Sequence, residues 1–122
     1  MQVPILKQGG YLIALIQSAL TDADLLRLRD DVAERVGTFR SRGVIVDVTS
    51  LDVIDSFATR TLSTIAHMLK LRGAETVIVG IQPDVAFTMV QLGLTLEGVG
   101  TVLDLEEGLA YLDRQTREHG KP

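Results

Sequence analysis

The chain has 122 residues and a net charge of −4, with no basic run, which argues against a nucleic-acid backbone as its partner. Hydrophobic residues make up 46% and aromatic ones 4%, so the sequence requires a packed aliphatic interior and excludes a disordered chain. With no cysteine it has no disulfide or thiolate metal site, and no apolar stretch approaches the roughly 20 residues of a membrane span. Length and composition predict one domain over 1–122, soluble and cytoplasmic, with no signal peptide.

Val3 to Lys7 and Tyr11 to Gln17 are short β-prone runs, and Gln8-Gly9-Gly10 between them allows a tight hairpin turn. Pro4 suits an edge strand or a strand start, since it has no N–H to give a ladder. Thr21 with Asp24 three residues on predicts a capping box. The helix it opens turns Leu25, Leu28, Val32, Val36 and Phe39 inward, with Arg27, Arg29, Asp30, Asp31, Glu34 and Arg35 as its solvated face. Gly43 leads into Val44 to Val48, an apolar β-branched run that reads as a strand covered on both faces.

An acidic loop with Asp52 and Asp55 follows, and then a helix from Phe57 to Leu71 with Ala58, Leu62, Ile65 and Leu69 facing the core. Asp55 or Ser56 caps this helix, and the sequence leaves open which. Gly73 supplies the stop, Thr76 to Ile81 a further buried strand, and Pro83-Asp84 the start of a short helix. That helix carries Val85, Ala86, Met89 and Val90 inward and ends at Gly93. Val99 to Leu103 is a weak last strand. Asp104, with Glu107 three residues on, opens a terminal helix that docks through Leu105, Leu109 and Leu112 and frays from about Thr116. The order predicts an α/β fold: a mixed, mostly parallel sheet with an N-terminal antiparallel hairpin and about four helices. The hairpin around Ile13 and Leu15, or the faces of the terminal helices, is expected to join neighbouring subunits.

Two segments carry a family resemblance. Asp47-Val48-Thr49-Ser50-Leu51-Asp52-Val53-Ile54-Asp55-Ser56 resembles the phosphoacceptor segment of STAS domains, the fold of anti-sigma-factor antagonists. Val79-Gly80-Ile81-Gln82-Pro83, followed by Gln91-Leu92-Gly93, is similar to the stressosome branch, whose RsbS-like members are scaffold proteins. The resemblance covers essentially the full length. Sporulation-type antagonists have a small residue and then glycine after the serine, whereas Phe57 and Ala58 stand here, as in the stressosome branch.

The resemblance implies a non-enzymatic phospho-switch and scaffold, without cofactor, that sequesters a serine kinase of RsbT type and releases it on phosphorylation of Ser56. It implies RsbR-like STAS paralogues and copies of the chain as assembly partners, and an RsbX-like phosphatase. Asp52, Asp55, Phe57, Thr59 and Arg60 surround the serine as the expected kinase-binding residues. Whether Thr49, Thr59 or Thr61 is a second acceptor stays open. The alternatives are a stand-alone antagonist binding an anti-sigma kinase one to one, and a STAS subunit of a membrane transporter.

Other chemistries fit the sequence less well. A serine before an apolar helix is commonly a plain cap, a role compatible with phosphorylation. Asp47, Asp52 and Asp55 resemble a phospho-aspartate receiver's Mg²⁺ site, but Lys70 and Lys121 do not complete it. Ser56 and His67 are eleven residues apart on one helix, about 16 Å along the axis, so they form no nucleophile–base pair. The other histidine, His119, lies in the tail, which leaves no metal cluster. No G-x-x-x-x-G-K or G-x-G-x-x-G phosphate loop is present.

Overall fold

The computed structural model describes residues 2–119. Nine elements follow in the order expected: β1 (Ile5–Gln8), β2 (Tyr11–Leu15), α1 (Asp22–Phe39), β3 (Gly43–Asp47), α2 (Ser56–Leu71), β4 (Glu75–Val79), α3 (Pro83–Gln91), β5 (Gly100–Val102) and α4 (Leu105–His119). They build one five-stranded sheet in the order β1-β2-β3-β4-β5. β1 pairs antiparallel to β2, with Gly9 at φ +60 in the turn, and every later pairing is parallel. β3 is central, its Ile45 opposite Ile13 on one side and Val77 on the other.

Period-two alternation divides the apolar side chains between two layers. Leu12, Ala14, Val44, Val46, Val48 and Ile78 face α1 and α2, where they meet Leu28, Val32, Leu62, Ile65 and Leu69. Ile13, Ile45, Val77 and Val79 face the other way and pack on Leu112 of α4. Helices thus cover both faces, α4 alone on the second. Tyr11 fixes α4 at its far end, donating its hydroxyl to Asp113 and lying 3.2 Å from the Thr116 hydroxyl. Burial, and then the Asp113 bond, push the Tyr11 pKa up.

Local signals are realised where they were read. Thr21 and Asp24 form the capping box, each side chain 3.1 Å from the other residue's N–H. Asp104 caps α4 by accepting from the Glu107 N–H at 2.9 Å.

Five side chains depart from expectation. Phe39 is exposed at the last turn of α1, with the Lys7 ammonium 5.1 Å from its ring centre. Val90 is 78% exposed and Ala86 only half-buried, because α3 seats through Val85 and Met89. Thr116 is buried and donates to the Leu112 carbonyl at 2.8 Å, so the helix stays docked where fraying was expected. Ile13 is 3% exposed and lies against the α4 layer, which removes it as a self-association contact. The exposed apolar residues on α3 and just after it are instead Phe87, Val90 and Leu92. Strands β3 and β4 also end earlier than read, at Asp47 and Val79. Val48 continues the line only by its N–H bond to the Val79 carbonyl, at 3.0 Å.

Ile65 is in the layer between α2 and the sheet, fully packed. Ile65→Ala is expected to cost about 2–5 kcal/mol in urea denaturation. A loss under about 0.5 kcal/mol would contradict this packing.

Candidate functional site

The parallel strands β3 and β4 end at one rim of the sheet, and the chain leaves β3 there into the loop 48–55. Leu51 and Ile54 are buried and pin the loop to the α1–α2 layer. Between them Asp52 and Val53 project outward, Val53 at 68% exposure. Buried anchors thus recur every third residue, at Val48, Leu51 and Ile54, with exposed pairs between them.

Asp55 is the N-cap of α2, its Oδ1 accepting the Ala58 N–H at 2.8 Å. Ser56 is therefore the first helical residue and not the cap. Its side chain is exposed, and its hydroxyl has no hydrogen bond among the described residues. It stands where the first-turn N–H groups and the helix dipole favour negative charge. Phe57 is half-buried beside it, and Arg60 is exposed one helical turn on, with no ion pair among the described residues. Thr59 is different. It is 3% exposed, and both its N–H and its hydroxyl donate to the Asp55 carbonyl at 2.9 Å, so it holds the helix start from inside. Thr61 is buried as well, which leaves Thr49 as the exposed member of the three threonines.

The acids divide by local work. Asp47 Oδ1 accepts from the Thr49 N–H at 3.0 Å and the Thr49 hydroxyl at 2.6 Å, and Asp55 caps the helix. Among the described residues no group of three histidine or acidic side chains is arranged to hold a metal ion. Lys121 and the side chain of His119 lie outside the described residues. His67 is exposed, with Nε2 3.2 Å from the Glu97 carbonyl in the α3–β5 loop.

A solvent-open groove of about 440 Å³ runs beside the serine. One wall is the loop from Asp52 to Ser56, the other Val85, Thr88, Leu92 and Leu94. The arrangement offers an accessible hydroxyl at a helix start, an apolar groove next to it, and an acidic rim. It is suited to contact and to modification.

Residues 2–107 match the STAS domain family. The chain belongs to that family. Its fold is similar to that of a serine-to-glutamate variant of RsbS from Moorella thermoacetica, with a TM-score of 0.80 and 33% identity over 94% of this chain and 97% of that one. A chain in a solved structure of the stressosome, described there as a signal integration and transduction hub, gives 0.76 and 34% identity over 93% and 99%. The RsbT co-antagonist protein RsbRA of Bacillus subtilis (strain 168) is 30% identical over 83 residues, 68% of this chain and 30% of that protein. The chain spans less than a third of the RsbT co-antagonist relatives it matches. Among the described residues, no helix is long and apolar enough to cross a membrane.

Within this STAS domain, sequence reasoning missed the second wall of the groove. Leu92 and Thr88 belong to a different element from Ser56, and nothing local announces that α3 lies beside the loop. The similarity of Gln91-Leu92-Gly93 to the stressosome branch was the available signal.

Because Asp55 satisfies an otherwise orphaned N–H, Asp55→Ala is expected to lower stability by about 0.5–2 kcal/mol. Urea denaturation checks this, and an unchanged midpoint would mean that the cap carries no weight.

Proposed function

We propose that this STAS domain is a non-enzymatic binding switch and scaffold of a stressosome-type assembly. It holds a serine kinase of RsbT type and releases it when Ser56 is phosphorylated, with an RsbX-like phosphatase restoring the hydroxyl. RsbR-like STAS paralogues and further copies of the chain share the assembly. The observation that carries this reading is the placement of Ser56: exposed, at the first helical position, with no hydrogen bond from its hydroxyl among the described residues, at the rim of an apolar groove.

The likeness to RsbS and to a stressosome chain supports the scaffold role. The naming of the Bacillus subtilis relatives as RsbT co-antagonists supports a kinase as the thing held. Asp52, Asp55, Phe57 and Arg60 ring the serine as the kinase-facing residues, while buried Thr59 shapes the helix start beneath them. Exposed Leu92 lines the groove itself and offers apolar contact area beside the serine.

The test is incubation with the RsbT-type kinase and ATP, with modified residues mapped by mass spectrometry. Phosphate is expected on Ser56 and absent from Thr59 and Thr61, and Ser56→Ala should take none. Phosphate elsewhere, with Ser56 unmodified, would overturn the assignment. Analytical ultracentrifugation with an RsbR-like paralogue should show a large particle. A monomer or dimer under all conditions would favour the stand-alone antagonist instead.

A further inference from the structure

The segment Val79 to Pro83 does structural work on the loop that carries Ser56. Gly80 has φ +83, and a Cβ there would lie 1.9 Å from the Thr49 hydroxyl oxygen. Glycine at this position lets the start of the loop lie directly against the end of β4. Two residues on, Gln82 is the N-cap residue of α3, yet its side chain makes no capping bond. Its Nε2 donates to the Thr49 carbonyl at 2.7 Å instead. Asp47 grips Thr49 from the other side through two bonds, at 3.0 and 2.6 Å. Asp47, Thr49 and Gln82 therefore form a strap. It joins the two walls of the groove near the points where each begins.

We propose that Gln82 is a positioning residue for Ser56: its bond to Thr49 holds the loop 50–56 and α3 at the spacing in which the kinase engages the serine. This rests on the reading of Ser56 as the phosphoacceptor. α3 needs such a tie because its own anchorage is slight, with Val85 and Met89 as its buried residues. Without the strap the loop and α3 occupy the engaged spacing for a fraction of the time. Apparent affinity then falls by that fraction, while the rate from the engaged complex is unchanged. The loss appears in KM and not in kcat.

Gln82→Glu keeps the side-chain length but replaces the donating amide with a carboxylate, which has no N–H for the Thr49 carbonyl. Gln82→Ala removes the reach altogether. Two measurements test the strap: the kinetics of Ser56 phosphorylation by the RsbT-type kinase at varied substrate concentration, and amide hydrogen exchange over residues 50–56. Both variants are expected to raise KM about tenfold, as for a competent fraction near one tenth, with kcat within about twofold of wild type. Exchange over residues 50–56 should quicken while the β3 and β4 amides keep wild-type protection. An unchanged KM, or a fall in kcat at constant KM, overturns the positioning role, and unchanged exchange overturns the strap. A wild type that takes no phosphate on Ser56 overturns the acceptor reading and the kinetic claim with it, while exchange still decides whether the strap exists.

Discussion

The burial of β3 on both faces is the constraint from which the site follows. Val44 and Val46 are committed to the α1–α2 layer and Ile45 to α4, so none of these three can meet a partner. Polar chain resumes only at the rim, beginning with Asp47. From there the backbone must turn back to lay α2 over the strand it has just left, and a right-handed crossover fixes the side on which it does so. The first turn of α2 is thereby held at the rim, with its free N–H groups facing outward. Asp55 answers one of them, and Ser56 is the next residue out. An exposed hydroxyl at a helix start is thus a consequence of how a doubly covered strand hands over to its covering helix.

That placement separates what the fold feels from what a partner feels. A phosphate on Ser56 brings about −1.5 to −2 charges. The helix start favours it by about 0.3–1 kcal/mol, and Arg60 lies one turn away on the same helix. Asp52 and Asp55, which line the same groove, oppose it from the loop, so the two effects on the fold act against each other. A kinase seated on the groove meets something else. It must bury an anion next to the half-exposed ring of Phe57 and the apolar groove wall, and unpaired charge at an interface loses several kcal/mol. Phosphorylation can then act on binding while sparing the fold.

Much of this was legible in the sequence because its signals are local. The capping box of Thr21 and Asp24, the β-branched run from Val44, and Pro83 at a helix start each act within four residues of chain. The STAS membership of the segment Asp47 to Ser56 was legible by resemblance, and the structure resolved the choice of cap in favour of Asp55. What stayed hidden depends on distant partners. Thr116 looks like part of a polar tail until Tyr11, more than a hundred residues earlier, is found beside it. Val90 looks like a core residue until α3 is seen to seat on one narrow stripe, Val85 and Met89. Gly80 and Gln82 were visible as a motif, but their reason lies in Thr49, some thirty residues back.

The central claim is that phosphate on Ser56 changes partner affinity and leaves the fold intact. The most direct measurement is calorimetric titration of the RsbT-type kinase with the unmodified and the stoichiometrically phosphorylated protein, with thermal melts of both. The account predicts at least about a tenfold loss of affinity, or about 1.4 kcal/mol, with nearly coincident melting curves. Equal affinity for the two forms would contradict it.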